Sequence, residues 1–346
     1  MAEKFCIFCG KVPQDKNLEH VIPQWLIKMT GRERKDVFTN FPEDHRHLNF
    51  MNFKFPACTK CNSKYAELEG KVRPIMVNVL EGKPITGADA SLLMDWFDKV
   101  RIGLWLTDMY YNPEIKEDLQ PHFYIDSRVG LTDRMLSIQR IDMNGKGHGI
   151  SFIGTNFDMF QYLPSAFTLL INDVCFTNAS THNLVSPRVG FPIMEQTRVI
   201  DVNLGRFSFN LRPGRHKVTN PIIPTYIPNK DSITFYQPIM KEFADEPIVL
   251  NDSYVTEHCY DIDKGLGGVF VQKGNVGNIR YLGKDDKTGT KTKDVKTNVP
   301  NIIMDTIKIQ TVVSDRNMVK SFETSVISSQ YNKVLEKYKS VKHKMR

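Results

Sequence analysis

Two cysteine pairs with the same spacing constrain this chain more than any other feature of its sequence. Cys6 and Cys9 form one C-x-x-C motif, and Cys58 and Cys61 form the second. Four thiolates can bind one tetrahedral Zn²⁺ when a fold brings two such motifs together. We therefore predict a structural zinc site made of these four cysteines, which would hold both ends of the intervening segment in one place.

The composition of the chain is that of a globular protein. Of its 346 residues, 41% are hydrophobic and 25% are charged, and the formal net charge is +7. This charge permits a polyanionic partner without requiring one. There is no apolar run of about eighteen residues and no secretory signal, so we expect no membrane span and a cytoplasmic location. Thiols stay reduced there, which favours metal binding for the paired cysteines, and we interpret the isolated Cys175 and Cys259 as structural.

The sequence pattern divides the chain into a small first unit, a larger domain and a basic end. Residues 1–74 contain both cysteine pairs. Residues 75–330 contain a strong helical pattern at 88–112 and many short alternating runs, which predict an α+β domain that is mainly β with core helices. Residues 331–346 hold six Lys or Arg and one Glu. This tail forms either a basic helix along nucleic acid or a solvated terminal helix.

Local signals within residues 1–74 predict two strands followed by a helix. A short strand is expected at 18–22, where Pro23 stops it. Alternating phenylalanines at 50–55 predict a second strand. Apolar residues at helical spacing then predict a helix from residue 61 or 62 to about 73, ended by Pro74. The order is ββα, with the cysteines at its junctions.

Glu19, His20 and Asn62 are the residues of this unit that best suit chemistry. Hydrolysis of a phosphodiester needs an activated water, a cation on the phosphate and stabilisation of the leaving oxygen. A neutral histidine is a common base for the water, and Mg²⁺ prefers oxygen ligands such as carboxylates and amides. The alternative for each residue is a structural role: a noncatalytic His20, a surface carboxylate at Glu19 and a helix N-cap at Asn62.

The sequence EHVIP at 19–23, followed by CTKCN at 58–62, resembles the HNH signature of the ββα-metal (His-Me finger) nucleases that open with paired zinc knuckles. The resemblance implies that His20 is the general base. It also implies that Glu19 and Asn62 bind a catalytic Mg²⁺ or Mn²⁺, while the four cysteines hold the structural zinc.

Two positions depart from that signature. Glu19 stands where Asp is common, which adds one methylene of reach. Phe53 takes the place of the middle asparagine, which typically braces the loop that carries the base. The other polar candidates in this loop are Asn49, Asn52, His45 and His47.

The expected function is therefore that of a metal-dependent HNH endonuclease that hydrolyses DNA phosphodiester bonds. Its partners would be DNA and either a second copy of the chain or a regulatory protein. The fusion of a small nuclease to a large unrelated domain is typical, by analogy, of bacterial or phage-defence effectors. The alternative is a zinc-ribbon DNA-binding or adaptor protein with a degenerate nuclease site.

Overall fold

The computed structural model describes these residues: 5–15, 17–33, 49–111, 121, 123–130, 133–141, 149–181, 190, 193–201, 203, 206–212, 215–223, 231–238, 267–292, 294–295 and 299–314. Four of the sequence predictions lie outside them, namely those for His45, His47, Cys259 and the basic tail at 331–346. None of the described helices is both long and apolar enough to cross a membrane.

The N-terminal part begins with a short hairpin. Strand β1 (Leu18–His20) pairs antiparallel with β2 (Lys54–Pro56), so that Glu19 lies opposite Phe55 and His20 opposite Lys54. Between the strands, helix α1 (Gln24–Met29) begins immediately after Pro23. A 3-10 helix at Phe50–Asn52 leads into β2. Both predicted strands are therefore present, although each is shorter than its sequence pattern indicated.

Helix α2 (Thr59–Leu80) follows β2 and is longer than predicted. The expected end at Pro74 is wrong, because Pro74 lies inside the helix. A proline there removes one backbone hydrogen bond. Burial of Ile75, Met76 and Val79, which continue the helical spacing of Val72, offsets that loss. The expected boundary between residues 74 and 75 thus falls within a continuous helix.

Helix α3 (Gly87–Tyr111) is the helix predicted at 88–112. Its side chains from Trp96 to Leu106 are all buried. A helix stretch that is buried on every side must be covered on every side, and α3 packs against both α2 and the strands of a large sheet. Gly103 permits a close approach to the N-terminal part, since a Cβ atom there would lie 2.9 Å from Cγ1 of Val21.

The larger part is built around an antiparallel sheet with the strand order β14-β12-β11-β4-β7-β6-β5. A further strand, β16 (Asp294–Val295), pairs in parallel with the end of β4. The seven ordered strands are β4 (Asp133–Ile141), β5 (Ile150–Ile153), β6 (Ala166–Ile171), β7 (Val174–Thr181), β11 (Ile233–Gln237), β12 (Val269–Lys273) and β14 (Arg280–Leu282). Together with the helices, this sheet confirms the predicted α+β class.

Three small strand pairs and two helices complete the described structure. The pairs are β3 (Ile85–Thr86) with β15 (Lys287–Thr288), β8 (Ile193–Asp201) with β9 (Arg206–Arg212), and β10 (Lys217–Val218) with β13 (Gly277–Asn278). The helices are α4 (Asp158–Tyr162) and α5 (Val299–Ser314), and α5 packs on β5, β6 and β7. One hydrophobic cluster runs from Phe8 in the N-terminal part to Phe176 in the sheet, so both parts share a core.

Candidate functional site

The four paired cysteines converge on one point. Their Sγ atoms all lie within 4.8 Å of one another, and those of Cys9 and Cys58 are 3.9 Å apart. The backbone N–H of Cys58 also donates to Sγ of Cys6 at 3.2 Å. Burial and the neighbouring thiols raise the pKa of Cys58 to about 11 and that of Cys61 to about 12. A bound cation would reverse this effect and favour four thiolates, so the cluster can hold a metal ion, as its spacing predicted.

A residue from outside the N-terminal part supports this cluster. Asp126 accepts hydrogen bonds from Nζ of Lys64 at 2.6 Å and from the hydroxyl of Tyr65 at 3.0 Å. Its other carboxylate oxygen lies 4.0 Å from Sγ of Cys61, and its backbone N–H donates to the carbonyl of Phe8. Sequence reasoning missed Asp126, because nothing local in its surroundings points to a partner more than sixty residues away.

His20 is half-buried at the end of β1 and is held in one orientation. Its Nε2 lies 3.1 Å from the carbonyl oxygen of Met51. A carbonyl only accepts, so Nε2 carries the proton and donates. Nδ1 is then unprotonated, and the side-chain amide nitrogen of Gln24 lies 3.4 Å from it. Burial lowers the pKa of His20, which keeps the imidazole neutral near pH 7 and able to accept a proton at Nδ1.

Asn49 braces the loop that orients His20. Its side-chain oxygen accepts a hydrogen bond from the backbone N–H of Asn52 at 3.0 Å, capping the 3-10 helix that presents the Met51 carbonyl. Phe53, at the position of the middle asparagine in the HNH signature, is buried against the ring of Phe55. Asn49 therefore caps the 3-10 helix whose Met51 carbonyl contacts His20.

Glu19 belongs to a buried ionic cluster with Lys99 of α3 and Glu69 of α2. The Lys99 Nζ lies 2.5 Å from a carboxylate oxygen of each glutamate, and the Lys99 side chain is only 1% exposed. Burial raises the pKa of Glu69. Burial opposes the charge of Lys99 as well, but the two carboxylates outweigh that effect and raise its pKa. Sequence reasoning predicted neither Lys99 nor the inward position of Glu69, because the partners lie on three separate elements.

Asn62 lies in the first turn of α2 and contacts a different part of the hairpin. Its side-chain N–H donates to the side-chain oxygen of Asn17 at 3.2 Å. The N-cap position belongs to Cys58, so the interpretation of Asn62 as an N-cap is wrong. Asn62 precedes Glu69 by seven residues, or about 10 Å along the helix. The structure therefore brings Glu19 together with Lys99 and Glu69, and leaves Asn62 two turns away from Glu69.

No family model, curated protein or solved structure matches the chain.

Proposed function

We propose that this chain is an HNH-type endonuclease whose general base is His20 and whose N-terminal unit is held by a structural zinc ion. The observation that carries the proposal is the orientation of His20, whose Nε2–H is donated to the Met51 carbonyl and whose Nδ1 is unprotonated, with the Gln24 amide nitrogen 3.4 Å from it. The ββα order and the convergent cysteines support it. Four thiolates at this spacing suit Zn²⁺ better than a hard cation.

The proposed reaction is hydrolysis of a nucleic-acid phosphodiester, for which DNA is the expected substrate. Nδ1 of His20 takes a proton from a water molecule as the water oxygen attacks phosphorus. One P–O ester bond breaks, and the leaving oxygen is protonated from solvent. The imidazolium then releases its proton and returns to the neutral base. The half-burial that lowers the pKa of His20 favours this last step.

The residues in this arrangement do not fit a divalent cation shared by Glu19 and Asn62. The ammonium group of Lys99 already neutralises Glu19, and a Mg²⁺ or Mn²⁺ ion there would compete with that buried charge. The amide of Asn62 is directed to Asn17 instead. The steps proposed above therefore use His20 and water, and the dependence on Mg²⁺ or Mn²⁺ stays a prediction for experiment.

The test is nicking of supercoiled plasmid by the purified full chain with Mg²⁺, with Mn²⁺ and with EDTA. We expect His20→Ala to lose at least 100-fold in rate, the low end of the usual contribution of a general base. Thermal unfolding of the variant shows whether the fold is kept. Equal nicking by wild type and His20→Ala would mean that the activity belongs to a contaminant or to another site.

A second candidate function is a zinc-ribbon nucleic-acid-binding or adaptor protein without nuclease activity. The ion pair between Glu19 and Lys99 favours it, because a carboxylate neutralised inside the protein is not available to a catalytic ion. The same experiment separates the two. If the wild-type chain binds DNA but does not nick it with any of these ions, the adaptor function is correct. A role in bacterial or phage defence, with a second copy or a regulatory partner, is proposed only by analogy.

A further inference from the structure

A groove between α1 and α2 opens beside the proposed base. Its volume is about 600 Å³, and its lining residues are Gln24, Trp25, Lys28, Met29 and Arg73. Four of these come from α1 and the fifth from α2, so folding, and not one run of sequence, assembles the groove. This volume lies within the range of about 300–1,000 Å³ that is usual for ligand sites.

The groove is continuous with His20 through one side chain. Gln24 lines the groove, and its amide nitrogen lies 3.4 Å from Nδ1 of His20. Nδ1 of His20 is unprotonated, because Nε2 carries the proton that is donated to the Met51 carbonyl. A chain lying in the groove would therefore contact the side chain that lies against the proposed base.

The charge of the groove is positive. Lys28 and Arg73 are both exposed, and neither makes an ion pair within the described part of the chain. Glu69, one turn before Arg73 on α2, is instead committed to Lys99. Two cations from different helices on one groove, with no acid among the described residues that line it, favour an anionic ligand that contacts both.

Trp25 adds an aromatic surface to these charges. It is the one tryptophan of the chain that is partly exposed, since Trp96 and Trp105 are fully buried. Cationic side chains that contact phosphates, interleaved with an aromatic ring that contacts sugars or bases, are typical of surfaces that follow a nucleic-acid strand.

We propose that this groove binds the sugar-phosphate backbone of the strand that His20 cleaves, with Lys28 and Arg73 on successive phosphates and Trp25 against a sugar or base. The proposal rests on the proposed function for the identity of the strand. Binding itself can be measured without cleavage.

The test measures binding of a fluorescein-labelled 20-mer DNA by anisotropy, using the full chain in EDTA. Lys28→Glu/Arg73→Glu is expected to weaken binding at least tenfold and to lower the slope of log affinity against log salt by about 2, one for each phosphate contact. The matched control is Lys273→Glu/Arg280→Glu, which changes the same charges at exposed positions on the sheet and should bind as wild type does. Equal weakening by both pairs would show a general charge effect and overturn the proposal.

Tryptophan emission gives an independent readout of the groove. Saturating unlabelled DNA should quench the wild-type emission, and Trp25→Phe should lose that quenching because the remaining tryptophans are buried. Quenching that persists in Trp25→Phe would place the DNA elsewhere. Polyglutamate of matched charge should compete weakly; if it competes as well as DNA does, the groove binds acidic peptides and the nucleic-acid assignment is wrong.

The groove assignment and the proposed nuclease function can be disproved independently of each other. His20→Ala should bind DNA with wild-type affinity while losing cleavage. If His20→Ala cleaves normally but the groove variants lose binding, only the proposed function fails. If His20→Ala loses cleavage but the groove variants bind normally, only the groove assignment fails.

Discussion

Helix α3 contributes to two buried ionic clusters, and the difference between them separates a structural network from a candidate site. The cluster shared with the N-terminal part has one cation, Lys99, between the carboxylates of Glu19 and Glu69. The cluster shared with the sheet has two cations and two carboxylates, which are Arg101, Arg134, Asp95 and Asp98.

The sheet cluster is balanced in charge and closed by neutral partners. Arg134 donates to the side-chain oxygen of Gln237 through two nitrogens, and Arg101 donates to the Pro164 carbonyl. The N-terminal cluster carries a surplus carboxylate, and its charges act on the nearby His20. Buried charges destabilise a protein unless they are paired, so the equal numbers of cations and carboxylates in the sheet cluster fit a structural role. An excess of carboxylates beside a histidine is typical of functional sites. This difference between the two clusters can be tested by mutation.

Removal of the metal cluster should have the largest effect, confined to the N-terminal part. Cys58→Ser/Cys61→Ser should release about one zinc ion per chain, because it removes two of the four thiolate ligands. The loss of stability should be large, since structural zinc contributes on the order of 10 kcal/mol to the folding of small units. Mass spectrometry of the metal content, with hydrogen exchange, checks this. Exchange should accelerate in β1, β2 and α2, while β6 and β7 keep their protection.

Cys175→Ala is the matched control, since Cys175 is buried in β7 and lies outside the cluster. It should keep the metal. Unchanged metal content in the double serine variant would disprove the four-thiolate site.

Loss of Lys99 should be the next largest effect. Lys99→Met leaves the carboxylates of the buried Glu19 and the partly buried Glu69 without their cation, which should lower the free energy of unfolding by about 3–5 kcal/mol. Chemical denaturation measures it. Adding Glu19→Gln and Glu69→Gln to the same chain should recover much of the loss, because no buried charge then remains unpaired.

The comparison variant is Lys64→Met, which breaks an ion pair with Asp126 whose lysine side chain is 65% exposed. A surface pair of this kind contributes less than about 1 kcal/mol. If the two lysine variants lost equal stability, the Lys99 cluster would not be the buried network described above.

Asp305 should give the sheet part a pH dependence of stability. It lies on α5, 6% exposed, with one carboxylate oxygen that has no hydrogen-bond partner in the described part of the chain, and burial raises its pKa to about 7. The folded protein therefore holds a proton that the unfolded chain releases near pH 4, so stability falls as pH rises from 4 to 7. Asp305→Asn should be more stable than wild type by about 4 kcal/mol at pH 8 and equal to it near pH 4. Parallel curves for the two proteins would contradict the raised pKa.

Asn49 should affect activity more than stability. Asn49→Ala removes the cap of the 3-10 helix, at about 1 kcal/mol, and frees the Met51 carbonyl that orients His20. We expect about a tenfold lower nicking rate with little change in the melting temperature. Asn52→Ala is the control, because Asn52 contributes only its backbone N–H to that cap. Equal rates for the two variants would remove Asn49 from the site.

The sequence predicted the parts of this molecule that short-range pattern determines. The matching C-x-x-C spacing predicted that the four cysteines lie together. The spacing of apolar residues predicted both ends of α3 to within one residue. The prediction that the helix ends at Pro74 was wrong, because burial of the apolar side chains beyond it offsets the loss of one backbone hydrogen bond. Lys99 and Asp126 could not be recognised, because their roles arise from contacts between distant elements. Asn49 was one of several polar candidates in its loop, and its contact with the backbone N–H of Asn52 distinguishes it from the others. The convergence of the four thiols was thus predictable from the sequence, and the buried charges around Glu19 were not.

Helix α2 continues past Pro74, and this limits any attempt to study the N-terminal part alone. A fragment ending at that residue would cut a helix in its middle and discard α3 entirely. Glu19 and Glu69 would then face each other without the Lys99 ammonium, and Val21 would lose the Gly103 surface on which it packs. The smallest autonomous piece of this protein must therefore reach at least the end of α3, and a shorter fragment without nicking activity would not test the proposed function of the full chain.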